Sequence, residues 1–273
     1  MKDFEIFTDG DVDLPFPYGE EIILLPQYYY FDEDMVYGEE RILPREEFFE
    51  KLRSRRAYTS GVNPALVRAR FEDALQAGKD ILCITVSSGL SGSYNTIRMT
   101  ALDLKERYPE RDIEVIDSLS ASLAAGFLCM DAIDMRTQGK TLSETSEEIK
   151  KRVHRIDIYF VVDNFKYLVQ GGRVSEAVGK IGDILDIKLI LTMKDGRIEP
   201  YQKNRGMNSA LRNIKNIAQS RETARLGVIY VGNKDLFEKC KALVKSDCEA
   251  DLNLIVSSHV GPDTTGIAIE WQA

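Results

Sequence analysis

The sequence is poor in the residues that build disulfide scaffolds and metal sites. Its 273 residues hold four cysteines and two histidines. Cys83 and Cys129 lie in the apolar runs Ile81-Leu82-Cys83-Ile84 and Phe127-Leu128-Cys129-Met130, where free thiols behave as small core hydrophobes. Cys240 and Cys248 form no Cys-x-x-Cys pair and have no neighbouring His, so neither a disulfide framework nor a bound metal is expected. Basic residues are not in excess either. Lys and Arg number 36 against 44 Asp and Glu, a formal charge of −8, which argues against nucleic acid as a partner. Long apolar runs are missing too: residues 81–86 and 184–193 are short or interrupted, whereas a membrane helix needs about 20 apolar residues. The start, Met1-Lys2-Asp3-Phe4-Glu5, has no signal-peptide core. A cytoplasmic protein is expected.

What is present has globular proportions, with 44% apolar and 29% charged residues. The length fits two domains at roughly 100–200 residues each. No internal repeat or low-complexity linker stands out. Strands are expected at residues 4–8, 22–25, 80–86 and 114–117. Helices are expected from Pro44, from Asn63-Pro64 as an N-cap with proline at the first helical position, after Ser93, and over 120–139 and 141–151. Strand and helix in alternation predict a mostly parallel sheet flanked by helices. Beyond Arg155 the pattern changes. Strands are expected at 159–162, 187–193, 197–203, 227–231 and 252–256, with helices near 165–169, 175–185, 207–220 and 234–245. Asp195-Gly196 predicts a tight hairpin turn. The fold class read from this is α/β: an N-terminal parallel domain, residues 1–154, followed by a mixed α+β domain, residues 155–273.

Ligands bind beyond the carboxyl ends of strands in such sheets, and three polar turns fall there. Asp9-Gly10-Asp11-Val12-Asp13 follows an apolar strand, as the Asp-x-Asp loop of a metal-dependent phosphatase of the haloacid dehalogenase type does. Asp9 and Asp11 would then hold the metal and attack phosphorus. No convincing partner acidic motif accompanies it, since Gly182-Asp183-Ile184-Leu185-Asp186 lies in an expected helix. Asp9, Asp11, Asp13 and Glu20 also fall at EF-hand positions, but Leu14 replaces the turn glycine and Pro15 and Pro17 interrupt the loop. The plain alternative is a polar turn whose acids cap backbone groups. Ser87-Ser88-Gly89-Leu90-Ser91-Gly92-Ser93-Tyr94 follows the strongest strand and opens a helix, with neither Walker spacing nor a following Lys. It supports a small anion at a helix N-terminus or an ordinary turn. Gly171-Gly172-Arg173 reads as a helix C-cap with a solvated Arg. His259 reads as a lone structural histidine after an apolar strand, and His154 as a solvated helix end.

These segments together resemble the DegV family of bacterial fatty-acid-binding proteins. The resemblance rests on Thr8-Asp9-Gly10-Asp11-Val12-Asp13-Leu14-Pro15, Thr59-Ser60-Gly61-Val62-Asn63-Pro64, residues 87–94 and Val115-Ile116-Asp117-Ser118. It continues through Tyr167-Leu168-Val169-Gln170-Gly171-Gly172-Arg173-Val174-Ser175, residues 187–196 and His259-Val260-Gly261-Pro262. It implies a two-domain carrier, not an enzyme, with one long-chain fatty acid in an interdomain tunnel. It further implies a fatty acid kinase that phosphorylates the bound carboxylate, transient contact with a membrane surface, and no cofactor. By motif position, Thr59 and Ser91 are implied as hydroxyl donors to the carboxylate and His259 as the completion of that polar end. Ser60, Gly92 and Ser93 are implied beside them, and Arg173 at the head-group surface or kinase contact. Gly10-Asp11 stands where small hydroxyl residues are usual in the family, and Gly61-Val62 where Gln-Pro is usual.

Overall fold

The computed structural model describes residues 3–15, 17–31, 36–38, 41–175, 177–178, 180 and 186–272. Four strands, β1 (Phe4–Asp9), β2 (Ile23–Leu25), β6 (Asp80–Thr85) and β7 (Ile113–Asp117), form a parallel sheet in the order β2-β1-β6-β7. Every residue of β6 is buried, as a central parallel strand covered on both faces requires. The crossovers carry the expected helices. Among them, α2 (Pro64–Gln76) opens on Asn63, whose Oδ1 accepts from Ala65 N at 2.9 Å. Helix α3 (Ser93–Arg107) follows β6.

A six-stranded mixed sheet is built from β8 (Ile156–Val161), β9 (Ile187–Lys194), β10 (Arg197–Arg205), β11 (Thr223–Val231), β12 (Cys248–Asp251) and β13 (Thr264–Trp271), in the order β10-β9-β8-β13-β11-β12. Only the β11–β12 pair is parallel. The β9–β10 hairpin turns on Asp195 and Gly196, both at positive φ (47° and 77°), as the Asp-Gly pair predicted.

Helix α4 (Ser122–Thr137) lies between the two large sheets, packing on β1 and β6 of one and on β8 and β13 of the other. Its burial is nearly all-round, and this explains a sequence without a polar stripe. Its one acid on the mixed-sheet side, Asp131, pairs with Arg152 at 2.9 Å and Arg225 at 2.8 Å. Helix α5 (Leu142–Arg152) starts with a capping box between Thr141 and Glu144.

Three features depart from the sequence reading. Residues 252–256 form no strand: β12 ends at Asp251 and helix α9 (Leu254–Val260) begins, capped by Asn253, whose Oδ1 accepts from Val256 N at 3.0 Å. His259 therefore sits on a helix. A short antiparallel sheet of β3 (Tyr29–Phe31), β4 (Val36–Tyr37) and β5 (Ala57–Thr59), order β4-β3-β5, was not anticipated, nor was β13. The stacked rings of Tyr29 and Tyr37, and Phe48 of α1 (Arg45–Ser54) edge-on to Tyr29, hold that small sheet to the core. The remaining helices are α6 (Lys166–Gln170), α7 (Met207–Ala218) and α8 (Lys234–Lys241). Most of the helix expected over 175–185, including four residues of the acidic 182–186 motif, lies outside the described residues.

Candidate functional site

The three polar turns at the carboxyl ends of β1, β6 and β7 are tied together by their own side chains. Thr8 Oγ1 donates to Ile84 O at 2.7 Å, and the Asp9 carboxylate accepts from Val86 N at 3.1–3.2 Å. Asp117 accepts from Ser88 N and Leu119 N. The β9–β10 hairpin closes onto this rim: Ser87 Oγ donates to Gly196 O at 2.6 Å. A Cβ on Gly89 would run into that same carbonyl, so glycine is what admits the hairpin tip.

Between rim and mixed sheet lies a cavity of about 840 Å³, counting the part that opens to solvent, within the roughly 300–1,000 Å³ of small-molecule sites. Its walls divide by chemistry. Ile158 and Phe160 of β8, Met193 and Ile198 of the hairpin, Ile229 of β11, Leu168 of α6 and Val256 of α9 supply an apolar surface. Asp11, Gln27, Thr59, Ser60, Ser91, Arg173 and His259 supply a polar one.

Thr59, at the end of β5, and His259, on α9, meet at 2.9 Å through Oγ1 and Nε2. The other ring nitrogen, Nδ1, is buried without a partner among the described residues, and a Cβ on Gly171 would stand 2.5 Å from it. An unpaired buried N–H is the costlier arrangement, so we assign the imidazole proton to Nε2, donating to Thr59 Oγ1. That leaves the Thr59 hydroxyl hydrogen free to point at a ligand. Burial, assisted by the Arg173 charge, drops the His259 pKa to about 3, so the ring is neutral.

The Gly-Gly-Arg segment thus has a physical reading. Gly171 makes room for the imidazole, and Gly172 takes the left-handed turn (φ 71°) that ends α6. Arg173 is half-buried and engaged: its Nε donates to Leu90 O at 3.0 Å, its Nη1 donates to Gly171 O, and its side chain lines the cavity. Gly261 completes the fit, because a Cβ there would collide with the Tyr167 ring.

On the opposite side a chain of hydrogen bonds runs from Ser91 to Asp11. Ser91 Oγ and Ser93 Oγ lie 3.0 Å apart. Ser93 Oγ already accepts from Val62 N at 3.3 Å and Gln27 Nε2 at 3.0 Å, which uses both lone pairs. Its proton is therefore directed at Ser91, and the Ser91 hydroxyl donates into the cavity. Gln27 Nε2 also donates to Asp11 Oδ2 at 2.8 Å. Burial raises the Asp11 pKa to about 6, against the lowering effects of the Gln27 bond and Arg173.

Thr59, Ser60, Ser91, Gly92, Arg173 and His259 are thus brought to one cavity, while Ser93 sits fully buried behind Ser91 as its support. The three acids of the first loop separate. Asp9 is fully buried on Val86 N, and burial raises its pKa well above the ordinary carboxyl range. Asp13 accepts from Ser122 Oγ at 2.7 Å and from Asn253 N and Nδ2 at 2.9 and 3.0 Å, clamping the start of α4 to the start of α9. Only Asp11 reaches the cavity, and among the described residues no group of three or more His, Cys, Asp or Glu could hold a metal ion. Gln27, Asp11 as a cavity residue and the Asp13–Asn253 clamp escaped the sequence reading. A signal for the clamp existed in Asn253, an N-cap residue ahead of an apolar run. Nothing local marks Gln27.

Comparison with known proteins bears on this cavity. The family described as "Uncharacterised protein, DegV family" matches residues 3–272. A DegV domain-containing protein of Clostridium perfringens is 29% identical over 286 residues, spanning 98% of this chain and 97% of that protein. A Thermotoga maritima protein whose structure is described as revealing fatty acid binding function is 25% identical, with TM-score 0.80 and full coverage of both chains. The Streptococcus pneumoniae Fatty Acid Kinase (Fak) B3 protein, loaded with linoleic acid, shares the fold at 21% identity and TM-score 0.86, covering 99% of this chain and 100% of that one.

Proposed function

The chain belongs to the DegV family, and on that premise we propose that it is a carrier, not an enzyme, that holds one long-chain fatty acid in this cavity. The acyl chain runs as through a tunnel between an N-terminal unit, residues 1–154, and a C-terminal unit, residues 155–273. The carboxyl group lies at Thr59, Ser91 and His259, with Ser60 and Gly92 beside it, Ser93 behind and Arg173 at its margin. A partner fatty acid kinase phosphorylates that carboxyl in the cytoplasm, with transient contact at a membrane surface for loading. The observation that carries the reading is the division of one cavity into an apolar wall and a hydroxyl–imidazole end.

The energetics agree. Burying roughly 14 methylenes at about 0.8 kcal/mol each gives a gross drive of order 11 kcal/mol before ordering costs. The tail supplies the affinity, and the head must only avoid an uncompensated buried charge. Hydroxyl donors from Thr59 and Ser91 hydrogen-bond the carboxyl group while leaving an oxygen lone pair for phosphoryl transfer. The test is titration with palmitic acid, followed by ATP-dependent acyl phosphate formation with a fatty acid kinase. Saturation at one equivalent and turnover only in the presence of this protein support the reading; absence of binding overturns it.

Among the described residues no feature favours the phosphatase alternative. Asp9 is committed to Val86 N and does not line the cavity.

A further inference from the structure

The polar end holds more negative charge than a fatty carboxylate tolerates. Asp11 lines the cavity at 8% exposure, and among the described residues the charged groups around it are few. Asp9 and Asp13 flank it on its own loop, one bonded to Val86 N and the other to Ser122 and Asn253. Arg173 faces it from the end of α6 as the cation that stabilises its ionised form. Gln27 faces it from beyond β2, and the neutral His259 completes the polar end. Arg173 offsets Asp11 alone. A second carboxylate would leave one buried negative charge unmatched.

The hydrogen bonds point the same way. Thr59 and Ser91 present donors, whereas Asp11 presents acceptors, and the neighbouring Gln27 Oε1 is buried without a donor among the described residues. A carboxylic acid complements this set: its carbonyl accepts from the two hydroxyls and its O–H donates to the Asp11 carboxylate.

We propose that Asp11 makes this cavity select a long-chain ligand whose head group donates a hydrogen bond, namely the protonated carboxylic acid or a primary alcohol, over the bare carboxylate. The proposal rests on the reading of the cavity as a long-chain lipid site. Palmitic acid, ionised in neutral water, then takes up one proton on binding, held between its own carboxyl and Asp11.

The test is isothermal titration of palmitic acid and of hexadecanol, delivered from cyclodextrin, at about pH 6 and pH 8 in buffers of different ionisation enthalpy. Wild type is compared with Asp11→Asn and Asp11→Ser. With Asp11 titrating at about 6 in the free protein, wild-type affinity for palmitic acid falls roughly tenfold per pH unit above that value. At pH 8 one proton is taken up per ligand and at pH 6 about half of one, while hexadecanol affinity changes by no more than about twofold between the two pH values. Both variants lose the proton uptake and the slope. Palmitic acid binding without proton uptake or slope in wild type overturns the proposal and leaves the lipid-site reading intact. Failure of both lipids to bind at either pH overturns the lipid-site reading and the proposal with it.

Discussion

The Thr59 hydroxyl and the His259 imidazole lie 2.9 Å apart although 200 positions separate them in the chain. The contact joins the last residue of a small sheet near the N-terminus to a short helix near the C-terminus, and it closes the polar end of the cavity. Thr59→Val keeps the shape and removes the donor. A hydrogen bond to a charged or charge-sharing group is worth about 1.5–3 kcal/mol, so Thr59→Val and Ser91→Ala each weaken palmitic acid binding by roughly 10- to 100-fold. Unchanged affinity in both variants would strike these hydroxyls from the site.

His259 is neutral in the fold, with a pKa of about 3 set by burial and by Arg173. Its ring resonances therefore do not titrate between pH 8 and pH 5 in an NMR experiment. A histidine whose folded pKa is depressed below about 6.5 binds a proton only on unfolding, so its contribution is complete above that value and declines as pH falls. Asp11 and Asp13, both raised to about 6 by burial, act oppositely: their protonation in the fold adds stability as pH falls through 6. The comparison that isolates His259 is wild type against His259→Gln. The stability of wild type relative to the variant falls on going from pH 7 to pH 5; a constant difference would contradict a neutral imidazole.

Gly171→Ala places a methyl group 2.5 Å from His259 Nδ1 and 3.1 Å from Tyr167 O. Either α6 or the imidazole must move, at about 1–3 kcal/mol of stability. The Thr59 contact is lost with it, so fatty acid affinity falls as well. Gly19→Ala, where no described residue lies within 4 Å, is the control. Chemical denaturation and ligand titration of both variants check the prediction, which fails if Gly171→Ala behaves like Gly19→Ala.

Asp13→Ala leaves the two donors of Asn253 and the Ser122 hydroxyl without their shared acceptor. Unsatisfied buried groups cost about 1–3 kcal/mol each, and water entering the gap recovers part of that. The expected loss is about 2–4 kcal/mol by denaturant titration. Amide exchange accelerates first in α9, which carries His259.

The α/β alternation was legible because its determinants are local. The all-apolar β6, the Asn63-Pro64 helix start, the Thr141–Glu144 capping box and the Asp195-Gly196 turn each declare themselves within a few residues. The failures were non-local. Leu252, Leu254, Ile255 and Val256 look like strand residues, and only the Asn253 cap anchored by Asp13, some 240 positions away, makes them start a helix. The β3–β4–β5 sheet draws its stability from Tyr29 and Phe31 packing on Phe48, not from an alternating pattern. Arg173 reads as a solvated cap because nothing near it in sequence reveals Leu90 O as its acceptor. Asp11 reads as a turn residue because its partner Gln27 lies across the sheet rim.

The most direct test of the account is mass spectrometry of the organic extract of the protein purified without detergent, against buffer and denatured-protein controls. Close to one long-chain fatty acid per chain is expected. A clean extract, together with no thermal shift on adding a panel of fatty acids, would contradict it.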